Sequence, residues 1–324
     1  MLAVVAVGGN ALITDPDRIS VESEIEAVQV ICAEIADMIE AGWDVIIGHG
    51  NGPQIGFNLR RSELASHELF EIPLDVCGTF TQGSIGYYIQ QSLQNIFHQR
   101  SIKKHVVTVI TQVEIDEDDP AFAKPTKPIG MFMTAEEAER VAAKGWQVIE
   151  DSGRGWRRVV ASPQPKSIVE LPVIRQLLDD GVVVIAVGGG GIPVVRNEEG
   201  MLRGVRNLRK SVVDKDLAAA LLANQIGADL LLISTGVEKV ALNFNRPDQV
   251  WLDQLTIEEA QKYIDEGHFA PGSMLPKIQA SLNYLEGIGA TASDNGRIAI
   301  ITDQDSIGDA LAGITGTRIV GSTS

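Results

Sequence analysis

The chain has 324 residues, 44% of them hydrophobic and 22% charged, a balance that suits either one large α/β unit with an excursion or two domains. Its 27 basic and 43 acidic residues leave a net charge of -16, which argues against non-specific binding to nucleic acid or to an anionic membrane, because both need a basic surface. Cys32 and Cys77 belong to no CxxC or Cys/His cluster, so neither a disulfide framework nor a zinc site is expected.

No apolar run is long enough to span a bilayer, and MLAVVAVGGNALI reads as a first strand, not a signal peptide, so a cytoplasmic location is expected. In chain order, Leu2 to Val7 is a continuous apolar run that delivers its end to Gly8-Gly9-Asn10, the pattern of a buried parallel strand. Apolar residues at three- and four-residue steps predict an amphipathic helix over Glu24 to Ile39. A second strand, Trp43 to Ile47, runs into GHGNGPQIG, Gly48 to Gly56, and then a helix over Gln54 to Leu64. Such a glycine-dense turn between strand and helix lets backbone N–H groups converge on an anion, although glycines make tight turns for steric reasons as well.

Asp75 to Tyr88 is read as a Thr/Gly-rich turn passing into a helix that reaches about Phe97, either with polar backbone and Gln82 at the helix start touching a substrate or as an N-capped helix packing through Ile85, Tyr88 and Ile89. His105 to Ile110 is another strand. The alternation then breaks: Glu114 to Lys166 is rich in proline and charge and is read as an inserted lid with a hairpin around Trp146 to Val160. Most of its cations, Lys124, Lys127, Arg154, Arg157 and Arg158, are read as solvated, though a lysine on a lid over a phosphate site would have a use.

A helix over Ser167 to Leu178 precedes the apolar strand Val182 to Val187 and a third glycine turn, Gly188-Gly189-Gly190-Gly191. In an open parallel sheet the C-terminal ends of the strands share one crevice, so turns distant in sequence can meet there. No GxxxxGK[ST] is present and no GxGxxG follows a strand, which disfavours a P-loop kinase and a Rossmann dehydrogenase. Lys215 stands between Asp214 and Asp216 at the start of an Ala/Leu-rich helix. After the strand Leu230 to Ile233 come the turn Ser234-Thr235-Gly236, a short strand Val240 to Phe244, and a helix opening at Thr256 with capping-box chemistry. Pro271 to Met274 opens a helix carrying Lys277, and Arg297 to Thr302 and Thr317 to Val320 are closing strands around a short helix, Ser306 to Leu311. Glycine turns, lysines at helix starts and the lack of a nucleophile on a recognisable elbow suit direct phosphoryl transfer.

The motifs VGGNAL, GHGNGPQIG, TQGSIGY, KPIG, VGGGGIPV, VDKDLAAALLA, NFNRPDQ and HFAPGSMLPK, in this order across nearly the whole chain, resemble the carbamate kinases of the amino-acid kinase family. The resemblance implies one domain over 1–324: an open, mainly parallel eight-stranded sheet sandwiched between helices, with a protruding subdomain at 115–165. It also implies a homodimer, a carbamoyl-phosphate side in the N-terminal part, and a nucleotide side at about 182–324. The implied reaction is reversible phosphate transfer between carbamoyl phosphate and ADP, with Mg²⁺ held through the nucleotide phosphates and not by a protein metal site.

Carried over by position, Gly8, Gly9, Asn10, Gly50, Asn51 and Gly52 would hold carbamoyl phosphate, with Gln82 and Gly83 on the same side. Lys215 and Lys277 would neutralise the transition state, Asp216 would orient them, and Lys127 would reach down from the subdomain. Gly188, Gly189, Gly190 and Asp214 would support the nucleotide phosphates, bordered by Ser234, Thr235, Gly236, Ala241, Phe244 and Met274. The chain departs from the family pattern at Met131-Phe132-Met133 after KPIG, at Gly236 and Ala241 where an acidic residue and a tyrosine are usual, and in the basic stretch before Val213. Loss of that ring would weaken or redirect base recognition. Two other readings stay open: a nucleotide- or phosphate-sensing protein without turnover, and a same-fold kinase for another small carboxylate or carbamate-like acid.

Overall fold

The computed structural model describes residues 1–9, 12, 18–150, 155–205, 210–287 and 296–321. The first part of the chain runs β1 (Leu2–Val7), α1 (Val21–Glu40), β2 (Asp44–His49), α2 (Gly52–Ala65), α3 (Leu74–Arg100), β3 (Val106–Thr108) and β4 (Gln112–Glu114). The insertion holds β5 (Lys127–Met133), α4 (Ala135–Ala142), β6 (Gln147–Glu150) and β7 (Trp156–Val160). There follow β8 (Ser167–Ile168), α5 (Leu171–Asp179), β9 (Val183–Ile185), β10 (Ile192–Arg196), β11 (Leu202–Gly204), α6 (Lys215–Ile226) and β12 (Leu230–Thr235). The chain ends with β13 (Val240–Leu242), β14 (Val250–Leu252), β15 (Gln254–Thr256), α7 (Ile257–Asp265), α8 (Met274–Leu285), β16 (Ile298–Asp303), α9 (Ile307–Leu311) and β17 (Thr317–Val320).

Eight strands form the main sheet in the order β15-β17-β16-β12-β1-β2-β9-β3. Every neighbouring pair in it is parallel except β16 with β17, which is the mainly parallel sheet expected. From β1 the chain builds outward through β2 on one side and β12 on the other, so β1 stands at the topological switch point where open α/β sheets bind ligands.

The all-apolar sequence of β1 has a direct physical reading. Ala3, Val5 and Val7 point into one core with Val28, Ile31 and Ile35 of α1 and Ile85, Ile89 and Leu93 of α3. Val4 and Ala6 point into the opposite core with Ala218, Ala219 and Leu222 of α6 and Ile278 and Leu282 of α8. A strand buried on both faces has no use for the polar alternation of a half-exposed one. The alanine run of α6 lets that helix lie close against the sheet, which fixes where its first residue, Lys215, stands.

Two elements differ from expectation. Asp75 to Tyr88 is helical throughout, because α3 starts at Leu74 behind Pro73; Gly86 sits where a Cβ would meet the Thr108 side chain, 3.2 Å from its Cβ, so that glycine serves close packing and not a turn. The helix expected from Ser167 starts only at Leu171, with Pro172 in its first turn. Ser167 and Ile168 instead pair with β4. The insertion forms a three-stranded antiparallel sheet, β5-β7-β6, beside α4, and β6 and β7 are its hairpin.

Candidate active site

Four adjacent strands of the sheet, β12, β1, β2 and β9, end in the turns singled out in the sequence. Gly8 and Gly9 follow β1, Gly50 and Asn51 follow β2, Gly188 to Gly190 follow β9, and Ser234 to Gly236 close β12. The first two turns touch through backbone: a Cβ on Gly50 would lie 2.6 Å from the Gly9 nitrogen, and one on Gly9 would lie 3.0 Å from the Asn51 nitrogen. Real Cβ atoms do not approach backbone as closely as 2.6 Å, so Gly50 needs glycine for space, and a side chain at Gly9 would press on the Asn51 backbone. The first-turn N–H groups of α2 therefore face the Gly8-Gly9 turn, at the positive end of the helix dipole.

The third turn is built on strain. Val187 adopts φ 48° and ψ 31°, a left-handed conformation that costs a β-branched residue free energy. Its N–H donates to Thr111 Oγ1 at 3.0 Å. Gln82 braces the same turn: its Nε2 donates to the carbonyls of Thr111 at 3.1 Å and Gly188 at 3.0 Å, and its Oε1 accepts the Thr111 N–H at 2.8 Å. Asn51 Nδ2 donates to Thr81 Oγ1 at 2.8 Å. His49 is 1% exposed, and its Nδ1 lies 3.1 Å from the Gly50 carbonyl, which can only accept, so Nδ1 carries the proton. Burial pulls the His49 pKa down to about 4. The neutral ring is part of the turn, not an acid or base.

The charged residues form one chain across the crevice. Asp214 caps α6 by accepting the Asp216 N–H at 2.8 Å with Oδ1, while its Oδ2 accepts from Lys127 Nζ of the insertion. Asp216, 2% exposed, contacts Lys215 Nζ at 2.9 Å with one oxygen and Lys277 Nζ at 3.0 Å with the other. Lys215 Nζ also donates to the Ala6 carbonyl at 3.2 Å, which ties it to the end of β1. Burial opposes ionisation of Asp216, but the two ammonium groups outweigh it and hold its carboxyl well below the usual carboxylate range. Burial lowers the Lys215 pKa despite the Asp216 charge. For Lys127 burial is outweighed by Asp214, which raises its pKa.

These residues line a cavity of about 240 Å³ that also takes in Gly8, Gly9, Gly50 to Gly52, Gly189, Ser234 to Gly236, Gly272 and Ser273. Lys127, Lys215, Lys277 and Arg157 set four positive charges against the two carboxylates of Asp214 and Asp216, an excess of two among the described lining residues. A chain of net charge -16 thus keeps a positive pocket where backbone amides already point. The Oγ of Ser234 is buried there with no hydrogen-bond partner among the described residues.

Several residues named from sequence stand elsewhere. Gln82 lies behind the Gly188 turn with its amide used up by backbone, and Gly83 is exposed on α3 away from the cavity. Gly188 and Gly190 shape the turn from below; a Cβ on Gly188 would meet His49 Cε1 at 2.8 Å. Ala241 is buried in β13, Phe244 packs edge-on against Trp251, and Met274 packs against the α6 side of the core. None of these three lines the cavity. Asn10 and Arg154 lie outside the described residues.

Sequence reasoning missed Arg157 as a lining residue, reading most of the subdomain cations as solvated, whereas Gly272 and Ser273, in the helix opening Pro271 to Met274, do line the cavity. In β7, Arg157 and Arg158 project to opposite faces. Arg157 turns to the cavity and donates to the Gly130 carbonyl at 3.0 Å, whereas Arg158 is buried against Glu63. The alternation of a strand was legible in WRRVV, but which arginine faced inward was not.

The model of the amino acid kinase family matches residues 1–292. A carbamate kinase of Clostridium perfringens is 47% identical over 326 residues, covering 99% of this chain and all of that protein. A carbamate kinase-like protein of Escherichia coli is 48% identical over 323 residues, 98% of each. The solved carbamate kinase of Giardia lamblia bound to AMP-PNP superposes with a TM-score of 0.86 at 38% identity, covering 99% of this chain and 98% of that one. A positive, glycine-walled crevice at the switch point of a mainly parallel sheet, together with these full-length matches, shows that the chain belongs to the amino acid kinase family, among its carbamate kinase relatives.

Proposed function

We propose that this protein is a carbamate kinase, transferring a phosphoryl group reversibly between carbamoyl phosphate and ADP to give ATP and carbamate, which breaks down to ammonia and CO₂. The observation that carries the reading is Asp216 holding the ammonium groups of Lys215 and Lys277 on two separate oxygens. That arrangement fixes two positive charges between the anion turns of β1 and β2 on one side and the end of β12 on the other. Phosphoryl transfer asks for little more than positioning and neutralisation of charge on the equatorial oxygens.

In this reading the amides of Gly9, Asn51 and Gly52 bind carbamoyl phosphate, while the Gly50 N–H, which donates to the Val7 carbonyl at 2.8 Å, holds the turn in place. Ser234 to Gly236 with Gly272 and Ser273 border the nucleotide, for which the unpaired Ser234 hydroxyl is an available donor. Lys127 leaves Asp214 to meet the anion from above, and Arg157 adds charge from the same subdomain. The described residues form no group of three or more metal-ligating side chains, and both carboxylates are engaged by lysines. Mg²⁺ would therefore be held by the nucleotide phosphates, where it would neutralise their charge. The stretch 115–165 acts as the lid, and the working unit is a homodimer.

Purified protein given ADP, Mg²⁺ and carbamoyl phosphate should produce ATP in a coupled luminescence assay; no ATP above the uncatalysed background overturns the assignment. Lys277→Ala should lower kcat by about 10² to 10³, the scale of losing one preorganised charge at the reacting group. The match to a carbamate kinase-like protein keeps one further reading in play, a same-fold kinase for another small acid. A panel of small carboxylates with ATP separates the two. Calorimetric binding of ADP without product formation would instead mark a sensor.

A further inference from the structure

The insertion reaches the active site through Lys127, yet its firmest attachments are to α2. Residues 56, 60 and 63 repeat at helical steps along one side of α2 and face a cleft shared with β5 and α4. At the first of these positions helix and strand meet backbone to backbone: a Cβ on Gly56 would fall inside the envelope of Gly130 Cα, and Gly130 holds φ +73°. Two turns on, Glu63 meets Arg158 of β7 fork to fork, Oε1 to Nη1 at 2.6 Å and Oε2 to Nη2 at 2.9 Å, with side chains only 13% and 11% exposed. Arg158 pairs in register with Ile129, and Lys127 is two residues further along the same strand. The Arg158 guanidinium also stacks on Trp146, 4.7 Å from the ring centroid, with Lys210 Nζ 3.5 Å from that centroid.

We infer that Glu63 and Arg158 are a positioning pair: the fork sets the height of β5 over α2, and so places the Lys127 ammonium over the anion turn at the start of that helix. A buried ion pair is weak evidence for stability, because desolvation offsets most of its attraction. What a bidentate arginine–carboxylate pair supplies is a fixed geometry. Here that geometry joins the helix whose N-terminus binds the anion to the strand that carries the lysine. The assignment rests on the kinase reading for its kinetic consequence, but the mechanical link stands apart from it.

The test is a double-mutant cycle with Lys127→Ala. Glu63→Gln alone should reduce kcat/KM for carbamoyl phosphate by about tenfold, and in the Lys127→Ala background by less than about twofold, because the lysine it positions is already gone. Equal losses in both backgrounds, or no loss in the otherwise native protein, would overturn the role. Amide exchange over residues 127–133 should quicken in Glu63→Gln while β1 stays protected, and unchanged exchange would refute the link. This second arm needs no turnover, so it distinguishes a failed positioning role from a failed kinase assignment. If Glu63→Gln does not fold, Arg158→Lys, which keeps the charge and loses the fork, takes its place in both arms.

Discussion

At the scale of single residues, Asp216 and His49 show how burial decides a role that composition leaves open. Both are almost fully enclosed, and they are driven in opposite ways: Asp216 is kept ionised by two lysines, whereas burial keeps His49 neutral, with no anionic partner among the described residues. A histidine whose folded pKa lies near 4 against 6.5 unfolded binds its proton first in the unfolded chain. The stability it leaves intact above pH 6.5 is therefore lost as pH falls toward 4, by up to about 3 kcal/mol at 1.36 kcal/mol per pKa unit. Urea unfolding at pH 7 and pH 4.5 should show that loss, and in His49→Gln the difference between the two pH values should shrink by about that amount. An unchanged pH difference would mean that His49 ionises freely in the folded protein. The motif GHGNGP placed His49 beside the anion turn, but only the contacts with Gly50 and Gly188 show that its ring faces away from the cavity.

The turns after β1 and β2 illustrate what an element contributes. Each looks like a loop with spare glycines when read singly, and each is constrained by the other: Gly9 makes room for the amides of Asn51 and Gly52, and Gly50 makes room for Gly9 and the Lys215 stem. Gly50→Ala should force the two turns apart, costing about 1–3 kcal/mol in stability as an overpacked position. It should also raise KM for carbamoyl phosphate more than it lowers kcat, since ground-state contacts to the anion are what the turn provides. Steady-state kinetics and a urea titration of the same preparation test both halves; a variant with native KM would show that the turns need not touch. Element boundaries were less legible than element types. Glycine and threonine in α3 read as a turn because both lower helix propensity, yet packing against α1 and β3 holds the helix through them.

For the whole molecule, the exposed side of α3 raises the question of assembly. Phe80 and Tyr87, seven residues apart and so on one face, are 48% and 54% exposed, and Leu69 and Phe70 just before the helix are more exposed still. Covering such a row by a second copy accounts for it and agrees with the proposed homodimer. Light scattering behind size exclusion should give twice the 34.8 kDa chain mass for the native protein and the single mass for Phe80→Glu/Tyr87→Glu. A monomeric native protein, or a variant that stays paired, would remove this face as the contact.

Much at this scale was open to direct reading. Runs such as LAVVAV and VVVIAV announce strands buried on both faces, and a glycine turn at the end of each fixes where in an open sheet a ligand can sit. The ordered motifs that include VDKD and HFAPGSMLPK pointed to Lys215, Asp216 and Lys277 as site residues, and their convergence on one cavity is what folding added. Local sequence determined the strands, the anion turns and the chemical types available, because period, glycine and charge act over a few residues. Tertiary structure alone decided which other charges meet: that Lys127 rests on Asp214, and that Arg157 turns inward while Arg158 locks onto Glu63. The Lys127–Asp214 and Arg158–Glu63 pairs join residues 87 and 95 positions apart, which no local pattern encodes.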